Sequence, residues 1–479
     1  MYLGLDLGTS GLKGLVIDER GAVQAEASAP LRAQRPAPGW SEQDPADWIT
    51  AAEAVLRALA AKLDMAAIAG IGLSGQMHGA TALDAADKVL RPCILWNDTR
   101  AHAQAARLDA DPRFRAISGN IVFPGFTAPK LVWMAEEDPD LFAQVAKVLL
   151  PKDYLRLWLT GGHVAEMSDA AGTSWLDVGA RDWSDDLLDA TGLERAQMPE
   201  LVEGTAPSGG LRHAIAQAFG LRADIPVAGG AGDNAATAIG LGVARGGQGF
   251  VSLGTSGVLF AATDGYAPAP ETAVHTFCHA LPGTWHQMGV ILAATDALNW
   301  FAAIAGADAA DLTDGMGALQ PPGRALFLPY LGGERTPLNN AAIRGAFLGL
   351  EHATDRQAAT RAVLEGVVFA LVDCQQALAA TGTQIDTLLA AGGGARSEYW
   401  LSALATGLDL PIHVPQAGDY GAALGAARLG LMAATGAGGD AMPLPPIARS
   451  FDPDKDKIQA FQDGYARYRK AQTAIKDLA

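Results

Sequence analysis

Leu7-Gly8-Thr9-Ser10-Gly11 recurs as Leu253-Gly254-Thr255-Ser256-Gly257, about half a chain later. The first copy follows the strand-like run Tyr2 to Leu5 and leads into Leu12 to Ile17. The second follows Phe250-Val251-Ser252 and leads into Val258 to Ala262. Each reads as strand, tight glycine turn, strand. Glycine and small hydroxyl residues let a backbone approach a phosphate closely and aim N–H groups at it. Two such turns, one per half, imply a polyphosphate gripped between two related domains.

Working outward, Val23 to Ser28 adds a third strand, and Arg35 to Gln43 reads as a polar loop. A helix is expected from Asp44 as N-cap and Pro45 at its first position, with Ile49, Ala52, Leu56, Leu59 and Leu63 on its apolar face. Ile68 to Leu73 is a further strand, ending in Ser74-Gly75-Gln76-Met77-His78-Gly79. The second half repeats this plan. It has a meander through Trp285 to Gly289 and helices at Ala294 to Ala305 and Ala362 to Ala379. The strand Thr387 to Ala391 runs into Gly392-Gly393-Gly394, and Asp419-Tyr420-Gly421 leads into a helix over Ala422 to Leu431. A last amphipathic helix spans about Lys455 to Asp477. The domain boundary is placed near Gly240 to Gly247, giving domains 1–243 and 244–479.

A chain of 479 residues is too long for one core. The net charge of −17 disfavours nonspecific nucleic-acid binding and docking on anionic membranes. Cys93, Cys278 and Cys374 form neither a disulfide framework nor a zinc spacing. No signal peptide is visible, and no run of about 18 apolar residues occurs. The cytoplasm is the expected compartment.

Asp6 ends the first strand just before the first glycine turn. A carboxylate there would repel phosphate unless a cation lay between them, and magnesium uses one or two carboxylates plus phosphate oxygens. A turn-initiating Asp is the plainer reading. Lys13 either adds positive charge or is a solvated strand residue. Asp233 follows the glycine loop Gly229-Gly230-Ala231-Gly232 and starts a helix, as an N-cap or as a general base for phosphoryl transfer. Gly392-Gly393-Gly394-Ala395-Arg396-Ser397 joins a strand to a helix, a junction suited to a nucleotide, without Rossmann or Walker spacing. Met77 and His78 are candidates for a small polar substrate. His275, Cys278 and His279 lack a fourth ligand nearby and are not read as a metal site. Glu334-Arg335-Thr336-Pro337 is a charged loop that either orders around substrate or closes the cleft.

Taken together, these stretches resemble the FGGY carbohydrate kinases of the actin-like ATPase superfamily. Gly125-Phe126-Thr127-Ala128-Pro129-Lys130-Leu131-Val132-Trp133 fits the first family motif. Gly345 to Leu350 and Ala362 to Glu365 fit part of the second, where Ala358 and Ala359 depart from it. The resemblance implies an α/β fold of two actin-like ATPase (ribonuclease H-like) domains with an interdomain cleft. It implies ATP and Mg2+ as cofactors and a small sugar, D-xylulose phosphorylated at O5, as acceptor. Ribulose, gluconate or glycerol are alternative acceptors, and a sugar-independent ATPase switch is the alternative of another class. The resemblance further implies Asp233 as proton acceptor and Asp6 acting through the metal. Met77, His78, Asp233 and Asn234 would contact the sugar. Gly8, Thr9, Ser10, Lys13, Gly254 and Thr255 would lie at the phosphates, and Gly393 and Gly394 at the nucleoside. No nucleic-acid or membrane partner is expected, and there is room for a homodimer.

Overall fold

The computed structural model describes residues 1–416, 420–439, 442 and 444–476. Each half is built on a seven-stranded mixed sheet. In the first, β1 (Tyr2–Leu7), β2 (Gly11–Ile17) and β3 (Val23–Pro30) form an antiparallel meander. Helix α1 (Pro45–Ala60) then crosses over to β4 (Gly70–Gly75), which lies parallel to β1. β5 (Pro207–Gly210), β6 (Pro226–Ala228) and the short β7 (Ala231–Gly232) complete that sheet beyond β4. The second sheet repeats the plan. β8 (Gly247–Leu253) and β9 (Gly257–Thr263) are antiparallel, β10 (His275–Cys278) and β11 (Trp285–Ile291) extend the meander, and β12 (Ile385–Ala391) lies parallel to β8. β13 (Ile412–Pro415) and β14 (Ile447–Phe451) close its other edge.

Several local expectations shift. Asp44 caps α1 as anticipated, accepting from the Ala46 N–H with Pro45 in the first turn. The buried face, however, runs through Trp48, Ala51, Ala52, Val55, Leu56 and Leu59, while Ile49 and Leu63 are only half-buried. Trp48 sets that rotation. Its indole N–H donates to Gln43 Oε1 at 3.0 Å, so the largest side chain points inward. The loop read over Arg35 to Gln43 contains a two-residue strand, Glu42–Gln43, paired with Cys93–Ile94. Asp419 and Asp477 lie outside the described residues.

The helices do not sort by half. α2 (Asp233–Leu241) and, from the second half, α5 (Gly421–Thr435) pack against each other. α5 also covers the face of β1 and β4 in the first sheet. Glycine makes this approach possible. A Cβ on Gly72 would stand 1.8 Å from Ala426 O, and one on Gly425 1.8 Å from Ala236 O. Between α2 and α5 in the chain lie α3 (Thr295–Ala305) and the 24-residue α4 (Arg356–Ala379). α4 is apolar enough to cross a membrane by composition, but 83% of its apolar window is buried as the central helix of the second half.

Candidate active site

The two glycine turns are not built alike. In the first, Leu7 pairs with Leu12 and the Gly8 N–H donates to Gly11 O at 3.0 Å. In the second, Leu253 pairs with Gly257, one residue out of step with the first, so the same five residues close a shorter loop. The start of α3 holds that loop. Thr295 donates to Gly254 O through N–H and hydroxyl (2.9 and 2.7 Å), and Ala294 N–H donates to Thr255 O at 2.8 Å. The N–H groups of Thr9, Ser10, Gly254, Thr255 and Ser256 meet no protein acceptor among the described residues, which leaves them available to an anion. The Thr9 hydroxyl, by contrast, donates to Gln76 Oε1 (2.9 Å) and accepts from the Trp96 indole (3.0 Å). Gln43 donates to Thr9 O at 2.7 Å. The first turn is therefore fixed by side chains from three other segments.

Asp6 and Asp233 come together because β1, β4 and β7 lie side by side. Asp6 and Ala231 both pair with Ser74 of β4, one from each flank. Asp233 follows two residues on, as the first residue of α2; Gly232, not Asp233, occupies the cap position. Asp233 Oδ1 accepts from the backbone and side-chain N–H of Asn234 at 2.7 and 3.0 Å. Oδ2 has no protein donor among the described residues. Burial pushes the Asp233 carboxyl up to about 6, and the Asp6 charge adds to this. Burial likewise raises Asp6 to about 6, against the pull of Lys13 across the hairpin. Lys13 is shared with Glu26 at 3.6 Å, so its charge is partly spent.

Sequence reading missed what holds the loop before Asp233. Arg156, fully buried, donates to Ala228 O and Ser208 Oγ at 2.6 Å, and also to Gly229 O. Ser168 Oγ accepts from the Gly232 N–H at 3.1 Å. Beneath them Lys152 pairs with Asp153 (2.8 Å), Asp169 (2.9 Å) and Glu166 (3.3 Å), all with no exposure. These partners sit about 65 to 75 residues away in sequence from the loop they hold, and no local pattern marks them.

Met77 packs on the same loop: a Cβ on Gly232 would meet Met77 Sδ at 2.9 Å. His78 has a left-handed backbone (φ 69°), a conformation held by Lys130 Nζ (2.8 Å) and Thr127 Oγ1 (3.1 Å), which both donate to His78 O. This gives the Gly125 to Trp133 motif a physical task. The His78 ring stacks on Phe126 at 4.5 Å, and burial lowers its pKa to about 3. Its Nδ1 lies 2.7 Å from Gly172 O, which can only accept. The proton of the neutral ring therefore sits on Nδ1, and Nε2 is a hydrogen-bond acceptor.

On the second half, a cavity of about 470 Å³ is lined by Leu298, Asn299, Gly393, Gly394, Arg396 and Trp400, a size suited to a nucleoside. Gly392 (φ 86°) lies against the second turn, where a Cβ would fall 2.7 Å from Leu253 O. Cavity and turn thus form one continuous cradle. At the other end, the donor set fits a magnesium ion. Asp6 and Asp233 are hard oxygen donors, the Asp6 charge raising the proton affinity of Asp233, and Asp6 precedes a turn whose N–H groups are open to phosphate. A divalent cation there would relieve that repulsion.

The chain matches the FGGY family of carbohydrate kinases, N-terminal domain, over residues 1–240, and the C-terminal domain over residues 249–434. It is 46% identical over 475 residues to the xylulose kinase of Escherichia coli (strain K12), covering 98% of both chains. A solved xyloylose kinase from Brucella ovis is 59% identical, with a TM-score of 0.98 over 100% of both chains. A xylulose kinase structure from Rhodospirillum rubrum is 28% identical with a TM-score of 0.93, over 100% of this chain and 99% of that one.

Proposed function

The chain belongs to the FGGY family of carbohydrate kinases, and from that premise we propose that it transfers the γ-phosphoryl group of ATP to O5 of D-xylulose, giving D-xylulose 5-phosphate and ADP. The observation that carries the chemistry is Asp233. It has one oxygen held by Asn234 and one without a protein donor among the described residues, it follows the loop on which Met77 packs, and it feels the charge of Asp6, which precedes a turn with unspent N–H groups. A carboxyl raised to about 6 is still ionised near pH 7, yet is a stronger base than an ordinary aspartate.

In this reading the sugar lies with one hydroxyl donating to His78 Nε2 and O5–H donating to Asp233 Oδ2. Asp233 takes the O5 proton as O5 bonds to the γ-phosphorus, and the bond to the bridging oxygen breaks to release ADP. Thr9, Ser10 and Lys13 of the first turn, and Gly254 and Thr255 of the second, receive the phosphates. Gly393 and Gly394 flank the nucleoside. Magnesium, held through Asp6, supplies charge neutralisation at the β- and γ-phosphates when bound. The protein's own contribution is positioning and exclusion of competing water. A cytoplasmic enzyme, as a homodimer checked by light scattering, completes the proposal.

A coupled ADP-release assay over D-xylulose, D-ribulose, gluconate and glycerol tests it. D-xylulose should give the highest kcat/KM. A higher value for another acceptor overturns the substrate assignment, and ADP release independent of any sugar overturns the kinase mechanism for this chain.

A further inference from the structure

Arg335 is a buried cation, presented by a rigid turn, that feels the charge of the neighbouring Glu334 but forms no ion pair among the described residues. Glu334 Oε1 accepts from the N–H groups of Leu292 (3.0 Å) and Arg335 (2.8 Å). Thr336 N–H donates to Val290 O at 3.0 Å, and its hydroxyl donates to Ala273 O at 2.9 Å. Glu334 and Asn340 exchange backbone hydrogen bonds at 2.9 and 2.8 Å. The backbone on both sides of Arg335 is thereby tied to the end of β11. From there the guanidinium crosses to the first half and lies 4.7 Å from the centre of the Phe123 ring. One N–H reaches His275 Nε2, at a long 3.4 Å. No carboxylate pairs with the guanidinium among the described residues, and burial lowers its pKa. Beside it Phe123, Phe126, His275 and Phe277 pack ring against ring. That cluster adjoins the ring of His78, which feels the Arg335 charge.

Met77 packs on the loop before Asp233, His78 follows Met77 in the chain, and the His78 ring lies against Phe126 and Phe277 of the ring cluster that carries Arg335. An extended five-carbon sugar spans six bonds from O1 to O5, about 7 Å at the reach of a backbone of the same bond count. With O5 at Asp233 and a middle hydroxyl at His78, the opposite end of the sugar extends toward Arg335. A guanidinium only donates. A carbonyl oxygen only accepts and can take two N–H groups of the fork, whereas a hydroxyl in its place brings a proton that must compete with an Arg335 N–H for His275 Nε2. A buried donor left unpaired is penalised, and such mismatches discriminate strongly between substrates.

We propose that Arg335 is a specificity-determining residue that donates hydrogen bonds to the C2 carbonyl at the keto end of the acceptor and so selects a ketose over the corresponding polyol. The proposal rests on the reading of the acceptor as D-xylulose. It also gives the nucleotide-side half a direct hold on the sugar.

The test compares D-xylulose as substrate with xylitol, in which the carbonyl is replaced by CHOH, as competitive inhibitor. Arg335→Met should raise KM for D-xylulose at least tenfold, change the inhibition constant of xylitol less than threefold, and leave KM for ATP within threefold. Arg335→Lys, which keeps the charge but not the fork, should raise KM for D-xylulose by an intermediate factor. It carries the test alone if Arg335→Met loses its near-UV circular dichroism. Equal weakening of D-xylulose and xylitol, or an unchanged KM for D-xylulose, overturns the proposal. A wild-type enzyme that turns over another acceptor but not D-xylulose overturns the substrate reading and this inference with it. Normal wild-type turnover with unaffected variants overturns the inference alone.

Discussion

Replacing Asp233 with Asn should make the enzyme both inactive and more stable, with a gain that depends on pH. The amide keeps the shape of the carboxylate and can still accept from the Asn234 N–H groups, so the loop geometry survives. What disappears is a charge that burial and Asp6 hold at a pKa of about 6, against about 3.9 in an unfolded chain. Between those values the folded protein binds a proton that the unfolded chain has already lost. Wild-type stability therefore falls as pH rises through that window, and the full cost stands above about pH 6. Two units at roughly 1.4 kcal/mol each give about 3 kcal/mol, or about 2–3 after allowing for the partial exposure of the side chain. For a domain of this size that is roughly 5–10 °C in Tm. The assay is thermal unfolding of both proteins without ATP, sugar or metal (EDTA present) from pH 8 to pH 5, beside the coupled kinase assay at pH 8. The gain should be largest at pH 8 and about half as large at pH 5. Turnover should drop by about 10²–10⁴-fold. A variant less stable than wild type at pH 8, or a gain constant across pH, would refute the strained-base argument. Wild-type turnover would refute the base itself.

Three further outcomes are expected. Wild-type kcat/KM for D-xylulose should fall about tenfold per pH unit below pH 6, because a base raised to about 6 is lost by protonation there; a plateau down to pH 5 would contradict it. Arg156→Met removes the guanidinium donor to Ala228 O, Gly229 O and Ser208 Oγ and its ion pair with the buried Asp153 and should cost about 3–5 kcal/mol in urea unfolding, with kcat down roughly 10–100-fold from a displaced Asp233. His78→Phe keeps a ring against Phe126 but removes the Nε2 acceptor. KM for D-xylulose should rise about fivefold to tenfold, the scale of one hydrogen bond, and Tm should fall because Gly172 O loses its Nδ1–H partner.

The parts of this fold that were legible from sequence are those where the information is local. The meander strands alternate visibly and are punctuated by glycine, and Asp44-Pro45 marks the start of α1 through its own backbone. The misreadings occurred where a distant partner decides. The face of α1 follows the bond from Trp48 to Gln43 rather than the spacing of Ile49 and Leu63. Asp233 reads from sequence either as a cap or as a base, and only the pairing of β7 with β4 shows that Gly232 takes the cap position ahead of it. Candidate site residues were found through glycine loops and strand ends, which are short-range signals. Their supports, Arg156, Ser168, Lys130 and Thr127, act across roughly 50 to 75 residues and have no short-range signal. The crossing of α5 onto the first sheet is recorded only as a scatter of glycines at Gly4, Gly72 and Gly425, each meaningless until the carbonyl it faces is known.

The repeated Leu-Gly-Thr-Ser-Gly shows why identical sequence need not mean identical duty. The first copy closes on itself through Gly8 and Gly11 and sets Asp6 opposite Lys13. The second is held from outside by Ala294 and Thr295, which draws its pairing in by one residue and sets Ser252 opposite Val258. Because strand side chains alternate, a one-residue shift exchanges the faces that the strand after the turn presents. The two turns therefore cannot hold the same phosphate oxygens in the same way, whatever their shared sequence. One offers its N–H groups beside a carboxylate, where phosphate is welcome only with a cation between them. The other offers them at the start of a helix, where the dipole already favours an anion. A kinase needs both: a neutralised side on which the γ-phosphoryl group is passed, and a fixed side on which the rest of the nucleotide stays behind. In the proposed reading the unequal turns would divide that work, with Asp233 on the side where the cation would be required.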